Sequence, residues 1–162
     1  MIKYSMVDLT KFIKALEDAG VYKFKIDSFE NRLKLQKIVY IAKYFGIDLG
    51  YTFNEYLRGP YSHELANDYY KLNEIWNSDE LKRLKPLDDE KLRELIEFLK
   101  DKSTDELEGI ATGLMFLDIL KRRGIRDRDI LKKKLVILIE SRKPFLSSIV
   151  DNITNIVVSN FA

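Results

Sequence analysis

His63, Glu64 and Asp68 are the residues whose types and spacing come nearest to chemistry in this chain. His63 is the only histidine, so a metal site built on several histidines and a two-histidine relay are both excluded. Beside Glu64 it could act as a lone general base, but the bland reading is a solvated residue in the first turn of a helix, and that reading is preferred. Glu64 and Asp68, four residues apart, read as helix neighbours facing water. The adjacent pair Asp88 and Asp89 reads as the start of a helix, where the helix dipole alone favours carboxylates. The serines and lysines have no glycine-rich strand–turn–helix around them, so neither a P-loop nor a nucleophile elbow is present. With no cysteine, thiolate zinc, iron–sulfur, disulfide and thiol-nucleophile chemistry are excluded. The chain reads as a non-enzyme with no catalytic residues, no metal ligands and no cofactor.

Recognition chemistry has more to work with. Tyr51, Phe53, Tyr56, Tyr61, Tyr69 and Tyr70 crowd around Arg58-Gly59-Pro60. Tyrosine joins apolar area to a polar tip and is enriched at protein interfaces. Phe53 and Tyr69 are expected in the core, and Tyr56, Tyr61 and Tyr70 at the surface. The candidate contact set for a partner protein is therefore Tyr56, Arg58, Gly59, Pro60, Tyr61 and Tyr70.

Charge supplies a second candidate. Residues 88–108 hold nine acidic and four basic side chains, a local net of −5. Residues 121–134 hold eight basic and two acidic ones, a local net of +6. Lys121, Arg122, Arg123, Arg126, Arg128, Lys132 and Lys133 form a basic patch that could meet nucleic acid or an acidic protein. The segment has no aromatic for base stacking, so a solvated helix face, or pairing with the acidic segment, is preferred.

These residues need elements to hold them. At 162 residues the chain can bury roughly 70% of its unfolded surface as one domain, 1–162. The net charge of +2 gives no general pull toward nucleic acid. The longest apolar run, Leu135 to Ile139, is far short of a membrane span, no signal peptide is evident, and a cytoplasmic protein is expected. One glutamine, Gln36, among abundant Lys, Glu and Ile is a composition associated with thermophiles.

The 3.6-residue period predicts a helix over Asp8–Ala19, stopped by Gly20, and another from a cap at Asp27, with Glu30 reaching back, to Phe45 and Gly46. Tyr51 to Arg58 alternates like a strand, which Gly59-Pro60 ends, or half of a small hairpin if Lys23–Ile26 pairs with it. A third helix runs to about Trp76, and Leu65, Tyr69, Leu72 and Trp76 are expected on its buried face. Beyond Pro86 the half 87–162 reads as almost wholly helical; Val136–Ile139 could instead be a buried strand, and helix is preferred on length. Asp88, Ser103 with Glu106, and Asp127 cap three helices, and Pro144 opens a fourth. Gly109 and Gly113, one turn apart in a strong helix, imply close approach of another helix, inside the domain in preference to across a homodimer. The fold class is all-α, a mainly helical single domain with one short extended strand or small β-hairpin.

The order Leu35-Gln36-Lys37-Ile38, Tyr40, Gly46, Gly50-Tyr51, Phe53, Tyr56, Gly59-Pro60-Tyr61-Ser62 and Leu65 resembles the Panacea family of SocA-type antitoxins, nearest its YwgA-like branch. The likeness covers about Arg32 to Leu72, within a motif region 27–76. It implies a mainly helical core with a small extended element. It also implies an antitoxin or proteolytic-adaptor role, binding a toxin encoded by a neighbouring gene, and it brings no catalytic residue. A structural reading of the same motif gives Gly59 an unusual backbone angle, starts a helix at Pro60 and has Gln36 satisfy backbone groups of the turn. The alternative from another class is a winged-helix-like DNA-binding regulator reading with Asn67 and Lys71.

Overall fold

Short apolar stripes and well-placed caps break this chain into eight α-helices and one two-stranded antiparallel sheet among the described residues. The computed structural model describes residues 3–56 and 59–162, without the Tyr56 side chain. Its contacts sort into two units, Met1–Asn54 with Ser62–Lys102, and Glu55–Tyr61 with Ser103–Ala162.

In the first unit, α1 (Tyr4–Asp18) buries Met6, Leu9, Phe12, Ile13 and Leu16, and Gly20 closes it at φ 73°. The helix starts four residues before Asp8 because Met6 extends the same apolar stripe. The segment after it alternates in burial, with Tyr22, Phe24 and Ile26 inside and Lys23 and Lys25 outside. It is not a strand: Asn31 Nδ2 donates to the Lys23 carbonyl and Glu17 accepts from the Phe24 amide, so side chains take those backbone groups. Ser28, not Asp27, caps α2 (Phe29–Tyr44), accepting from the Asn31 amide three residues on, the spacing a cap requires. Gly46 ends it at φ 87°, a left-handed angle that glycine alone adopts without strain. Then come α3 (His63–Ile75), the short α4 (Asp79–Lys82), which the sequence pattern did not reveal, and α5 (Glu90–Leu99). Asp89 caps α5, while Asp88, one residue earlier, pairs with Arg93.

In the second unit, β1 (Asn54–Tyr56) pairs with β2 (Gly59–Tyr61). The strand partner is thus the Gly-Pro segment itself and not Lys23–Ile26, and Gly59-Pro60 opens a strand where a chain stop was expected. Pro60 is tolerated because a two-stranded sheet is all edge. The second strand packs on α6 (Thr104–Arg122). The capping box of Ser103 and Glu106 opens α6, both of its hydrogen bonds being present. Asp127 caps α7 (Arg128–Arg142), so the apolar run at 135–139 is helical, as its length favours. Pro144 starts only a single 3-10 turn, Pro144–Leu146, before α8 (Val150–Phe161). Where α6 and α8 pack, a Cβ on Gly109 would collide with Ile153, and one on Gly113 would lie 3.0 Å from Val157. The two glycines therefore serve helix packing inside the unit.

Candidate functional site

Gln36 is fully buried in α2, where a primary amide must find both donors and acceptors. It finds them in one residue. Its Nε2 donates to the Ser62 carbonyl at 2.9 Å, and its Oε1 accepts from the Ser62 amide at 2.9 Å. Ser62 in turn caps α3 through the Leu65 amide. The start of α3 is thereby fixed to α2. Gly59 sits at φ 91°. The structural reading of the motif holds for Gln36 and Gly59; for Pro60 it does not, since Ser62 is the cap.

A second polar knot lies at the N-terminal end of α1. Asp68 is buried, not solvated as its spacing from Glu64 suggested, and its Oδ2 accepts from Ser5 Oγ at 2.8 Å and Tyr51 OH at 2.6 Å. Burial, then the hydrogen bond to Asp68, push the Tyr51 hydroxyl well above its ordinary pKa. Burial does the same to Tyr22, whose hydroxyl donates to the Asn31 carbonyl. His63 is exposed as the first residue of α3, the placement expected of a solvated residue. Glu64 accepts from the Thr52 amide at 2.9 Å and so braces the loop before β1. Among the described residues no group of His, Asp and Glu is placed to hold a metal ion. A groove of about 460 Å³ beside Tyr22 includes Glu17, whose carboxylate already holds Phe24.

The aromatics divide sharply. Tyr69 is buried, as expected, but Tyr51 is too, and Phe53, expected inside, is only half-buried. Tyr70 is half exposed and rests on Tyr69, ring centroids 5.1 Å apart. In β2, Gly59 and Pro60 are buried and Tyr61 is half-buried. Those two candidate contact residues are thus withdrawn from the surface, because β2 packs on α6. The Tyr56 side chain and Arg58 lie outside the described residues.

Pattern reading missed the best-built aromatic group, which belongs to the first unit. Tyr40 on α2 sits 5.5 Å from Tyr44 and 5.2 Å from Phe53, the latter edge-on. The hydroxyls of Tyr40 and Tyr44 share a hydrogen bond of 3.0 Å, and the Lys43 ammonium lies 5.5 Å from the Phe53 ring centre. Tyr40 is buried, Phe53 half-buried and Tyr44 exposed, so the group runs from core to surface. Its one local signal was the four-residue spacing of Tyr40 and Tyr44 on a helix.

Three residues of the basic segment serve helix ends. Lys121 donates to the Phe161 carbonyl, Arg126 to the Lys121 carbonyl and Arg128 to the Ala162 carbonyl, while Arg122 pairs with Asp118. Cations at helix C-termini oppose the partial negative charge there. Arg123 and Lys133 are exposed and Lys132 half-buried. On α3, Asn67 and Lys71 are exposed, but so are Glu64 and Glu74, a mixed charge that suits a DNA phosphate poorly. No helix of the described residues is long and apolar enough to cross a membrane. No protein-family model, curated protein or solved structure matches the chain.

Proposed function

We propose that this chain is a non-enzymatic protein-binding module, acting as an antitoxin or proteolytic adaptor does on a partner protein encoded beside it. The resemblance of Leu35–Leu72 to the Panacea family motivates the role, and the reading puts the protein in the cytoplasm. The observation that carries it is the Tyr40–Tyr44–Phe53 group, rings locked to one another with Tyr44 exposed. Interface hot spots favour aromatics whose rotamers are fixed before binding, since little side-chain entropy is then lost. Tyr70, backed by Tyr69, is a second contact of the same kind in this unit. Tyr61 stays a candidate from the second unit.

Co-expression with the neighbouring gene's product tests the reading. The expected result is co-purification and rescue of growth by the native chain, with both lost in a Tyr44→Ala, Phe53→Ala variant that melts like the native protein. Failure of the native chain to bind or rescue would remove the proposal.

A further inference from the structure

Ile130 and Ile137 stand 46% and 67% exposed on α7. They lie two turns apart, about 10.5 Å along the axis at 1.5 Å per residue. The core of the second unit takes the other face of α7, through Leu131, Leu135 and Ile139. Two large apolar side chains are therefore left on the outside of a helix whose inside is already satisfied. Lys133 and Lys134 are exposed between them. Alongside runs a groove of about 260 Å³ between α7 and α8, lined by Lys132, Lys133, Val136, Asp151, Thr154 and Asn155. Thr154 is 1% exposed and its hydroxyl has no hydrogen-bond partner. Whereas Lys121, Arg126 and Arg128 hold helix ends, Lys132, Lys133 and Lys134 make no ion pair or hydrogen bond among the described residues.

From this arrangement we infer that the α7 ridge and the α7–α8 groove bind an acidic amphipathic helix of a partner protein. Isoleucines seven residues apart match the apolar stripe of a facing helix, which repeats at the same interval. Lys133 and Lys134 flank that stripe and suit glutamates on either side of it, Lys132 lines the groove, and the segment's net charge of +6 would steer such a helix in. Asp151 and Asn155 argue against a phosphate-bearing occupant. A carboxylate on the α8 wall repels the continuous phosphates of nucleic acid or a lipid surface, whereas a peptide helix can set its glutamates against Lys133 and Lys134 on α7 and a hydrogen-bond donor against Asp151. The inference stands apart from the aromatic group of the first unit and uses none of its residues.

The experiment uses the full chain and a fluorescent synthetic helix of roughly five turns, leucine on one face and glutamate on the flanks. Controls are a scrambled peptide of equal composition, duplex DNA, and vesicles of mixed phosphatidylserine and phosphatidylcholine. Anisotropy should show binding of the helix, with the scrambled peptide about tenfold weaker or worse. Ile137→Asp, and separately Lys133→Glu, should each weaken binding by about tenfold without changing the melting temperature, since both side chains are exposed. Tyr44→Ala with Phe53→Ala should leave it unchanged. The inference is overturned by absence of binding, by equal binding of the scrambled peptide, or by tighter binding of DNA or vesicles. It is equally overturned if the aromatic substitutions abolish binding, or if sedimentation shows a dimer that Ile137→Asp dissolves.

Discussion

Gln36 and Ser62 exchange two hydrogen bonds in a place no water reaches. Gln36→Ala leaves the Ser62 amide unpaired, while the Ser62 carbonyl keeps the Ala66 amide, so a loss of about 1–3 kcal/mol is expected in urea unfolding. Gln36→Glu should be no better tolerated, because it keeps the acceptor but sets a carboxylate against the Ser62 carbonyl. Tyr22 and Tyr51 make a pH prediction at the same scale. Both hydroxyls are pushed above the tyrosine value of about 10, so in the alkaline range the folded state holds protons that the unfolded state has lost. Stability is then complete below pH about 10 and falls as pH rises past it, by about 1.4 kcal/mol per pH unit for each tyrosine. Urea midpoints measured from neutral to strongly alkaline pH should decline above that point, less steeply in Tyr51→Phe. A flat profile would contradict the buried hydroxyls. Gln36 was legible in advance, as the one glutamine, in a segment that needed its turn satisfied; Asp68 was not, because its partners Ser5 and Tyr51 lie far off in sequence.

Between elements, α6 and α8 approach as closely as Gly109 and Gly113 allow. Gly109→Ala gains about 1 kcal/mol of helix propensity but forces its Cβ onto Ile153, an overpacking that typically costs about 1–3 kcal/mol. Net destabilisation is expected. Ile153→Val, which removes the methyl in the way, should offset part of it, so that the double variant loses less than the sum of the singles in thermal melts. Equal additivity would mean that the helices separate without strain. The same helix carries Glu108, 1% exposed, paired at 2.8 Å with Lys143, 2% exposed. Glu108→Gln removes the carboxylate that neutralises a buried ammonium and should cost about 3–5 kcal/mol, whereas replacing both residues by apolar ones of similar volume should cost little or stabilise. Helix existence was largely readable here, since capping is local: Ser103, Glu106 and Asp127 act as their positions predicted. Ser28 and Asp89 displaced the expected caps by one residue because either neighbour could have served. The hairpin was misjudged for a different reason. Pairing of 54–56 with 59–61 depends on β2 packing against α6, more than forty residues away in sequence, and no local pattern reports that.

At the scale of the molecule, the two units do not divide at Pro86, because residues 55–61 join the later helices and α5 joins the earlier ones. That exchange decides which candidate contacts stay on the surface. It buries Gly59 and Pro60, while the rings of Tyr44, Phe53 and Tyr70 stay open to some degree on the first unit. A tyrosine-rich stretch could be seen in the sequence; which rings point outward could not, since alternation over so few residues fits several registers. The charge asymmetry was also visible, but the use of Lys121 and Arg128 in holding a helix end depends on where α8 lies in the fold. The most direct test of the account is a titration, by calorimetry, of the neighbouring gene's product into the native chain and into the Tyr44→Ala, Phe53→Ala variant. Specific binding is expected, weakened about thirtyfold or more by the paired substitution, as for loss of about 2 kcal/mol at a hot spot. Equal affinity for both chains, or no heat of binding with either, would contradict it.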